Sequence, residues 1–335
     1  MKIDNFNIKK NVFIIAEIGN NHEGDLNLAK KMISLASQAG ANAVKFQTIV
    51  PTKLVSVKQK DRIKQLERFQ FSYDDFMVLS DYAKSENIMF LSTPFDIESC
   101  NFLNDIVPAF KIASGDNTFF PLIESIAKTG KPIIMSTGLM TLDEVNRSFS
   151  FIKDIWEKHD IKQHLALLHC VSSYPTDAEN VNLSSLKELE KITKFIGYSD
   201  HASGIDACVL SIAFGAKIIE KHFTIDNNYS TFRDHQLSAN PHDFKTMVDK
   251  IRVSEKMLGD GNKEPNKTEL ASKQSFRRSI VTKNNLSAGH RIELNDLSWV
   301  RPGGGLKPGD EYKVIGKILK FNIDSGTKIK MEDLE

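Results

Sequence analysis

Cysteine is scarce in this chain, and its scarcity excludes a disulfide framework: Cys100, Cys170 and Cys208 are the only three and lie far apart. Charge of one sign is not in excess either. Lys and Arg number 44 against 43 Asp and Glu, for a net charge of +1, and no stretch of five or six like charges occurs. A general attraction to nucleic acid or to a membrane surface is therefore not expected. Long apolar runs are missing: MKIDNFNIKK has no signal-peptide hydrophobic region, and the VFIIAEIG that follows is far too short to span a bilayer. A protein of the reducing cytoplasm fits these absences. Low-complexity segments are absent too. What the 335 residues do contain is a 41% apolar share, enough for a sizeable core in one large domain and one small one.

Short β-branched runs recur, each followed by a stretch of helical periodicity, which is the pattern of a parallel sheet covered by helices. Eight strands are predicted: VFIIAE ending near Glu17, AVKFQ near Gln47, IMFLST near Thr93, FKIAS near Ser114, PIIMST near Thr137, HLALLHC near Cys170, FIGYS near Ser199 and KIIEKH near His222. Residues 26–38, 74–86, 142–157 and 242–257 carry apolar side chains at spacings of three and four, as amphipathic helices do. Eight parallel strands close a (β/α)8 TIM barrel, predicted here over residues 1–259. Residues 260–276 are polar, contain Gly and Pro and show no strong period, so a linker is expected. Beyond them, RRSIVTK, RIELNDLSWV and KVIGKIL, broken by SAGH, PGGGLKPGD and DSGT, predict a small β-rich domain over 277–335.

In such a barrel the chemistry sits at the C-terminal ends of the strands. Every predicted strand end carries a polar residue there, among them Glu17, Lys45, Gln47, Thr93, Lys111, Ser114, Ser136, Ser172, Tyr174, Ser199, His201, Glu220 and His222. Side chains alternate along a strand, so Lys45 with Gln47, Ser199 with His201, and Glu220 with His222 each share a face. His201 and His222 are one β/α unit apart, on neighbouring strands roughly 5 Å from each other, and two imidazoles so placed can share a metal. A hydrogen-bonded pair of core histidines is the alternative. With few protein ligands and no thiolate, Mn2+ or Mg2+ suits the pair better than structural zinc. Lys45 and Lys111, with serine hydroxyls nearby, describe an anion site, most simply for a phosphate and a carboxylate on one substrate. His169 has the opposite parity to Cys170, Ser172 and Tyr174, and is expected to face the helices as a structural residue.

The motifs AEIGNNHEGDLNLAK, VKFQ, STPFD, FKIASGD, STGLM, HCVSSYPT, GYSDH, EKHFT and FRRSIV…VRPGGG, in that order over almost the whole chain, resemble the sialic acid synthase family, including legionaminate and pseudaminate synthases. The small C-terminal domain resembles the SAF (antifreeze-like) domain that ends those enzymes. The resemblance implies a transferase of carbohydrate biosynthesis that condenses phosphoenolpyruvate with N-acetylmannosamine or a related N-acylated amino sugar, N-acetylneuraminate being the first expected product and legionaminate or pseudaminate the alternatives. By the same resemblance His201 and His222 hold the metal, with Mn2+ preferred. Lys111, Ser114, Ser136, Ser172 and Ser199 match positions that grip the phosphate, and Lys45 and Thr93 match those near the carboxylate. Glu17, Gln47, Tyr174 and Asp234 match positions on the open-chain sugar, with Glu17, Lys45 and Lys111 as the catalytic set. Glu220 is expected to orient the metal ligands from behind. Arg301 in VRPGGG matches an arginine inserted into the partner's active site, implying a domain-swapped homodimer with Arg301 acting in trans.

Three departures touch the transfer. Ser172 stands where many sialate-forming members have Asn, Asp116 where many have Glu, and NYSTFRDHQLS replaces a shorter glycine-proline loop before Asp234. A second enzyme reading changes the acceptor to a phosphorylated aldose, against which stand the SAF-like tail and the lack of a second basic cluster. A third is a barrel that binds sugar without catalysis, against which stand the lysines, serines and histidines.

Overall fold

Alternation along the eight apolar runs sorts their side chains into an inward and an outward set, and each set builds a core of its own. The structure, a computed structural model, describes residues 1–335, the side chain of Arg233 excepted, and it divides into two units, Met1–Gly259 and Asp260–Glu335. The strands of the first unit are β1 (Phe13–Gly19), β2 (Ala43–Thr48), β3 (Met89–Pro94), β4 (Phe110–Ile112), β5 (Ile133–Ser136), β6 (Leu165–Cys170), β7 (Ile196–Asp200) and β8 (Ile218–His222). Their helices are α1 (Leu26–Gln38), α2 (Tyr73–Ser85), α3 (Ile97–Leu103), α4 (Phe120–Lys128), α5 (Leu142–Lys158), α6 (Leu186–Ile192), α7 (Asp206–Ser211) and α8 (Pro241–Leu258). All ladders are parallel and run in the order β3, β2, β1, β8, β7, β6, β5, β4, while β3 and β4 lie alongside each other. This is the expected TIM-like barrel, nearly closed. The four helices predicted from periodicity are present to within one residue at each end.

Helix starts follow local chemistry. Asp25 caps α1 by accepting from the Asn27 and Leu28 amides, and Ser72 with Asp75 and Thr141 with Glu144 form capping boxes on α2 and α5. Outward side chains such as Ile14, Val44, Phe46, Met135 and Leu167 pack under the helices. Inward ones, including Phe13, Ile15, Ala43, Leu91, Ile134, Leu168 and Ile218, fill the lower barrel together with Met1, Ile3 and Ile8 of an N-terminal hairpin (Lys2–Ile3 with Phe6–Asn7). That plug is tight: a Cβ on Gly197 of β7 would fall 2.3 Å from the Ile218 carbonyl oxygen and 2.5 Å from Leu168 Cδ2, so only glycine fits there. Above the plug the inward positions turn polar, and the barrel's upper interior is where the charge collects.

The second unit starts with a helix where a linker without a helical period was expected. Helix α9 (Lys267–Phe276) is opened by a capping box of Asn266 and Glu269 and has no buried residue. It forms through its cap rather than through an apolar stripe, which is why periodicity missed it. The remainder holds β9 (Ser279–Thr282) antiparallel to β10 (Leu297–Val300), with isolated bridges such as Leu286 to Ile323 and Leu319 to Leu334. Ile280, Leu286, Ile292, Leu297, Val314, Leu319, Ile323, Ile329 and Leu334 make its core. KVIGKIL, predicted as a strand, contributes Val314 and Leu319 to that core but only bridges rather than a strand. Among the described residues no helix is long and apolar enough to cross a membrane.

Candidate active site

The inward polar layer converges on four buried charges. Glu17 lies two residues before the end of β1, Lys45 lies opposite it on β2, Lys111 sits in β4 and Glu220 in β8. Lys45 Nζ lies 2.7 Å from Glu17 Oε2 and 3.8 Å from Glu220 Oε2, and Lys111 Nζ lies 3.5 Å from Glu220 Oε1. Lys45 also donates to Thr93 Oγ1 at 3.1 Å, Lys111 donates to Ser136 Oγ at 2.7 Å, and Ser199 Oγ donates to Glu220 Oε1 at 3.0 Å. Seven of the predicted residues thus form one cluster joined by ion pairs and hydrogen bonds.

The two carboxylates are pushed apart in acidity, the arrangement that divides acid and base roles. Burial raises the Glu17 pKa beyond what Lys45 restores, and the nearby Glu220 charge adds to the rise. Glu220 is buried as well, but Lys111 and Lys45 together outweigh that burial and hold it below the ordinary carboxylate range. Burial also lowers the Lys111 pKa, Glu220 offsetting only part of it, whereas for Lys45 the two carboxylates overcome burial and raise it. Glu220 therefore stays an anion that braces both lysines, and Glu17 is the carboxyl prone to carry a proton.

On the β4–β6 side the cluster opens into hydroxyls. Ser114 Oγ and Ser172 Oγ are buried without hydrogen-bond partners, Ser114 lying against the Cys170 thiol. Both lie 2.6 Å from where a Cβ on Gly138 would stand, so glycine at 138 leaves a polar hollow that any other residue would fill. Asn117, buried in the loop after β4, donates from Nδ2 to the Ser136 and Gly138 carbonyls at 3.2 and 2.9 Å and so fixes the hollow's far wall. Asp116 in that loop has its carboxyl raised to about 6 by burial, with Oδ2 lacking a hydrogen bond. Asp116 was noted from sequence only as a departure from the family pattern and Asn117 not at all, although SGDN opens on the phosphate-side serine.

On the β1–β2 side, Gln47 donates to Glu17 Oε1 at 3.1 Å and accepts from Asn20 at 3.2 Å. A Cβ on Gly19 would stand 3.4 Å from both Glu17 Oε1 and Gln47 Nε2 and 3.7 Å from His222 Cε1, so these three groups face one point. Tyr174 packs on His201 with ring centroids 4.0 Å apart. Its phenol pKa is raised by burial and then by the charges of Cys170, Asp234, Glu17 and Glu220. Residues 224–240, which carry Asp234, are pinned by a fully buried His235 whose Nδ1 lies 2.6 Å from Thr224 Oγ1 and whose Nε2 lies 3.1 Å from Glu23 Oε1. That strut was not read from the sequence.

His201 and His222 lie with ring centroids 5.5 Å apart. His201 Nδ1 is 2.7 Å from the Val171 carbonyl oxygen; a carbonyl only accepts, so Nδ1 carries the proton and Nε2 keeps its lone pair for a metal. The hydrogen bond that orients His201 goes to this carbonyl, while Glu220 accepts from Ser199, pairs with Lys45 and Lys111, and acts on His201 through its charge. Among the described residues no group of three or more His, Cys, Asp or Glu side chains is placed to hold a metal. The donor set therefore fits a cation that takes two imidazoles from the protein and oxygens from elsewhere, and does not fit a closed structural site. His169 faces away, with Nε2 2.8 Å from the Val181 carbonyl oxygen. Arg301 lies in the second unit, exposed, its guanidinium 5.6 Å from the Phe276 ring centroid.

Comparison with known proteins agrees with this architecture. Residues 32–263 match the NeuB family and residues 277–335 match the SAF domain. The chain is similar to N,N'-diacetyllegionaminic acid synthase of Legionella pneumophila, 37% identical over 96% of this chain and 94% of that protein. It is 35% identical to pseudaminic acid synthase of Campylobacter jejuni over 100% of both chains. Among solved structures, N-acetylneuraminic acid (sialic acid) synthetase from Leptospira borgpetersenii in complex with citrate is 37% identical, with a TM-score of 0.76 over 82% of this chain and 94% of that one.

Proposed function

The chain belongs to the NeuB family, and we propose that it condenses phosphoenolpyruvate with an N-acylated amino sugar to give a 3-deoxy-2-keto nine-carbon acid and phosphate. The observation that carries this reading is the division of the barrel mouth. Buried ammonium groups and unpartnered serine hydroxyls occupy the β4–β6 side, an amide and carboxylate set occupies the β1–β2 side, and two imidazoles stand at β7–β8. One side suits an anion and the other a polyol.

Lys111, Ser136, Ser114 and Ser172 offer donors to a phosphate, with Ser199 beside them on Glu220, while Lys45 and Thr93 offer donors to a carboxylate. Two ammonium groups, one firm carboxylate and one proton-prone carboxylate leave the cluster net positive whenever Glu17 is protonated, which favours a doubly anionic substrate. Glu17, Gln47, Tyr174 and Asp234 surround the remaining space as hydrogen-bonding partners for the open-chain sugar. In the reaction C3 of phosphoenolpyruvate bonds to the aldehyde carbon and the aldehyde oxygen takes a proton. Water then adds at C2 and loses a proton, the C2–O bond to phosphate breaks as the new hydroxyl gives its remaining proton to the departing phosphate, and C2 ends as a ketone. Glu17 is suited by its raised proton affinity to give the first proton and take the second. A divalent cation, Mn2+ or Mg2+, held by His201 and His222 would supply Lewis-acid polarisation of the sugar aldehyde. Holding both substrates in one mouth adds the advantage of positioning.

The acceptor is N-acetylmannosamine or a 6-deoxy diacetamido hexose, since relatives named for both kinds of product are 37% identical to this chain. The test is to incubate the protein with phosphoenolpyruvate, MnCl2 and each sugar, with phosphorylated aldoses as controls, and to follow phosphate release and product mass. No release with any N-acylated hexosamine sinks the reading, and release with a phosphorylated aldose alone moves it to the other acceptor class. We infer also that Arg301 acts in trans in a domain-swapped homodimer. Mixing inactive His201→Ala and Arg301→Ala proteins should then restore roughly a quarter of the activity in a random dimer; no rescue after verified subunit exchange places the arginine in cis.

A further inference from the structure

Behind the two histidines, on the helix-facing side of β7 and β8, lies a charged network that the proposed reaction does not use. Asp200 and Lys221 each immediately precede one of the histidines, and they are direct partners in the β7–β8 ladder. Their side chains are 2.8 Å apart and fully buried. Asp200 Oδ1 accepts from the Tyr198 hydroxyl at 2.8 Å and from the Ala202 amide at 2.9 Å, and Oδ2 accepts from the Cys208 thiol of α7 at 3.2 Å. Lys221 donates in addition to the Ala202 carbonyl. Both backbone groups of the residue after His201 are thus held by this one ion pair.

The location matters because β7 ends at Asp200 and the ladder to β8 stops at the Asp200–Lys221 partners. His201 lies one residue beyond, where no β7–β8 ladder bond reaches it. Its backbone is fixed by the lock on Ala202 and by its own carbonyl accepting from the Thr176 amide at 2.9 Å. A buried ion pair is a poor source of stability, since desolvation of the two charges rivals their attraction. What this one does supply is a rigid crosslink between the two strands, immediately before each histidine.

We propose that the Asp200–Lys221 pair is a positioning device for His201 and His222, holding the imidazoles at the spacing at which they share one cation. The proposal rests on the reading of that pair as a metal site. It is tested by titrating the substrate-free full-length protein with MnCl2 in a calorimeter, with thermal midpoints measured alongside. Asp200→Asn/Lys221→Met removes both charges at nearly constant volume and keeps an oxygen for the Ala202 amide. The expected result is a thermal midpoint close to wild type and Mn2+ affinity lower by about ten- to a hundred-fold, the usual cost of losing the support behind a metal ligand. Wild-type affinity in the folded double variant overturns the proposal and leaves the metal reading standing. Failure of the wild type to bind Mn2+, or Mn2+ binding undiminished by His222→Ala, overturns both together. Should the double variant not fold, Asp200→Asn alone is titrated, and unaltered affinity in that protein likewise overturns the proposal.

Discussion

The two faces of the barrel wall treat buried polar atoms in opposite ways. On the helix side of β7 and β8, Asp200 accepts from a hydroxyl, an amide, a thiol and an ammonium group. On the inner side, Ser114 and Ser172 hold buried hydroxyls with no partner. Native proteins satisfy nearly all buried polar atoms, so an unsatisfied one needs a reason. Within the inner polar layer, Ser114 and Ser172 are thereby set apart from the hydrogen-bonded Thr93, Ser136 and Ser199, a difference that burial alone would not have shown.

The largest expected break in that comparison comes from the imidazoles. His201→Ala and His222→Ala should each lower kcat/KM by about a thousand-fold, since loss of a Lewis acid removes several kcal/mol of transition-state stabilisation. Circular dichroism and thermal midpoints should remain near wild type, because both rings face the mouth rather than the packed core. Near-normal turnover in either variant would remove the metal from the reading.

The serines draw the contrast at smaller scale. Ser172→Ala should leave the thermal midpoint unchanged, its hydroxyl having no partner to lose, yet raise KM for phosphoenolpyruvate by about ten-fold, the worth of one hydrogen bond to a charged group. Ser148, fully buried in α5, donates to the Asn117 carbonyl at 2.8 Å. Ser148→Ala should therefore cost about 1 kcal/mol of stability, readable in urea unfolding, with a much smaller effect on that KM. If both serines behave alike in the two measurements, satisfaction of hydrogen bonds does not separate structure from site.

Much of the front face was legible beforehand. Strand-end position picked out Glu17, Lys45, Lys111, Glu220 and His222, period-two alternation put Lys45 with Gln47 and Glu220 with His222 on one face each, and the β/α spacing put His201 beside His222. Alternation does not report partners, so it did not foresee that Glu220, expected behind the histidines, also braces both lysines. It also says little about outward charges: Asp200 and Lys221 sit in the same motifs as the histidines but meet only because two strands come into register. The Glu23–His235 strut joins residues 212 apart in sequence, a separation no local pattern spans. Helix α9 had a readable signal, Asn266 three residues before Glu269, that an apolar-period search does not weigh.

Asp116 sharpens the comparison from a third position, because its unpartnered oxygen belongs to a group that can escape the cost by taking up a proton. Burial raises its carboxyl from 3.8 to about 6 in the folded chain. The folded state thus binds this proton more tightly than the unfolded state does. The stability this contributes is complete below about pH 4 and is lost as pH rises through about 6. Asp116→Asn stays neutral and has nothing to lose over that window. The variant should match the wild type in thermal midpoint near pH 4 and exceed it modestly at pH 7, the gap opening between those values. The effect is the smallest of the set because the side chain is part-exposed and water relieves some of the cost. Parallel midpoint curves for the two proteins from pH 4 to 7.5 would mean that Asp116 ionises freely in the folded chain, and its unpartnered oxygen would then belong with solvent rather than with the waiting hydroxyls of the mouth.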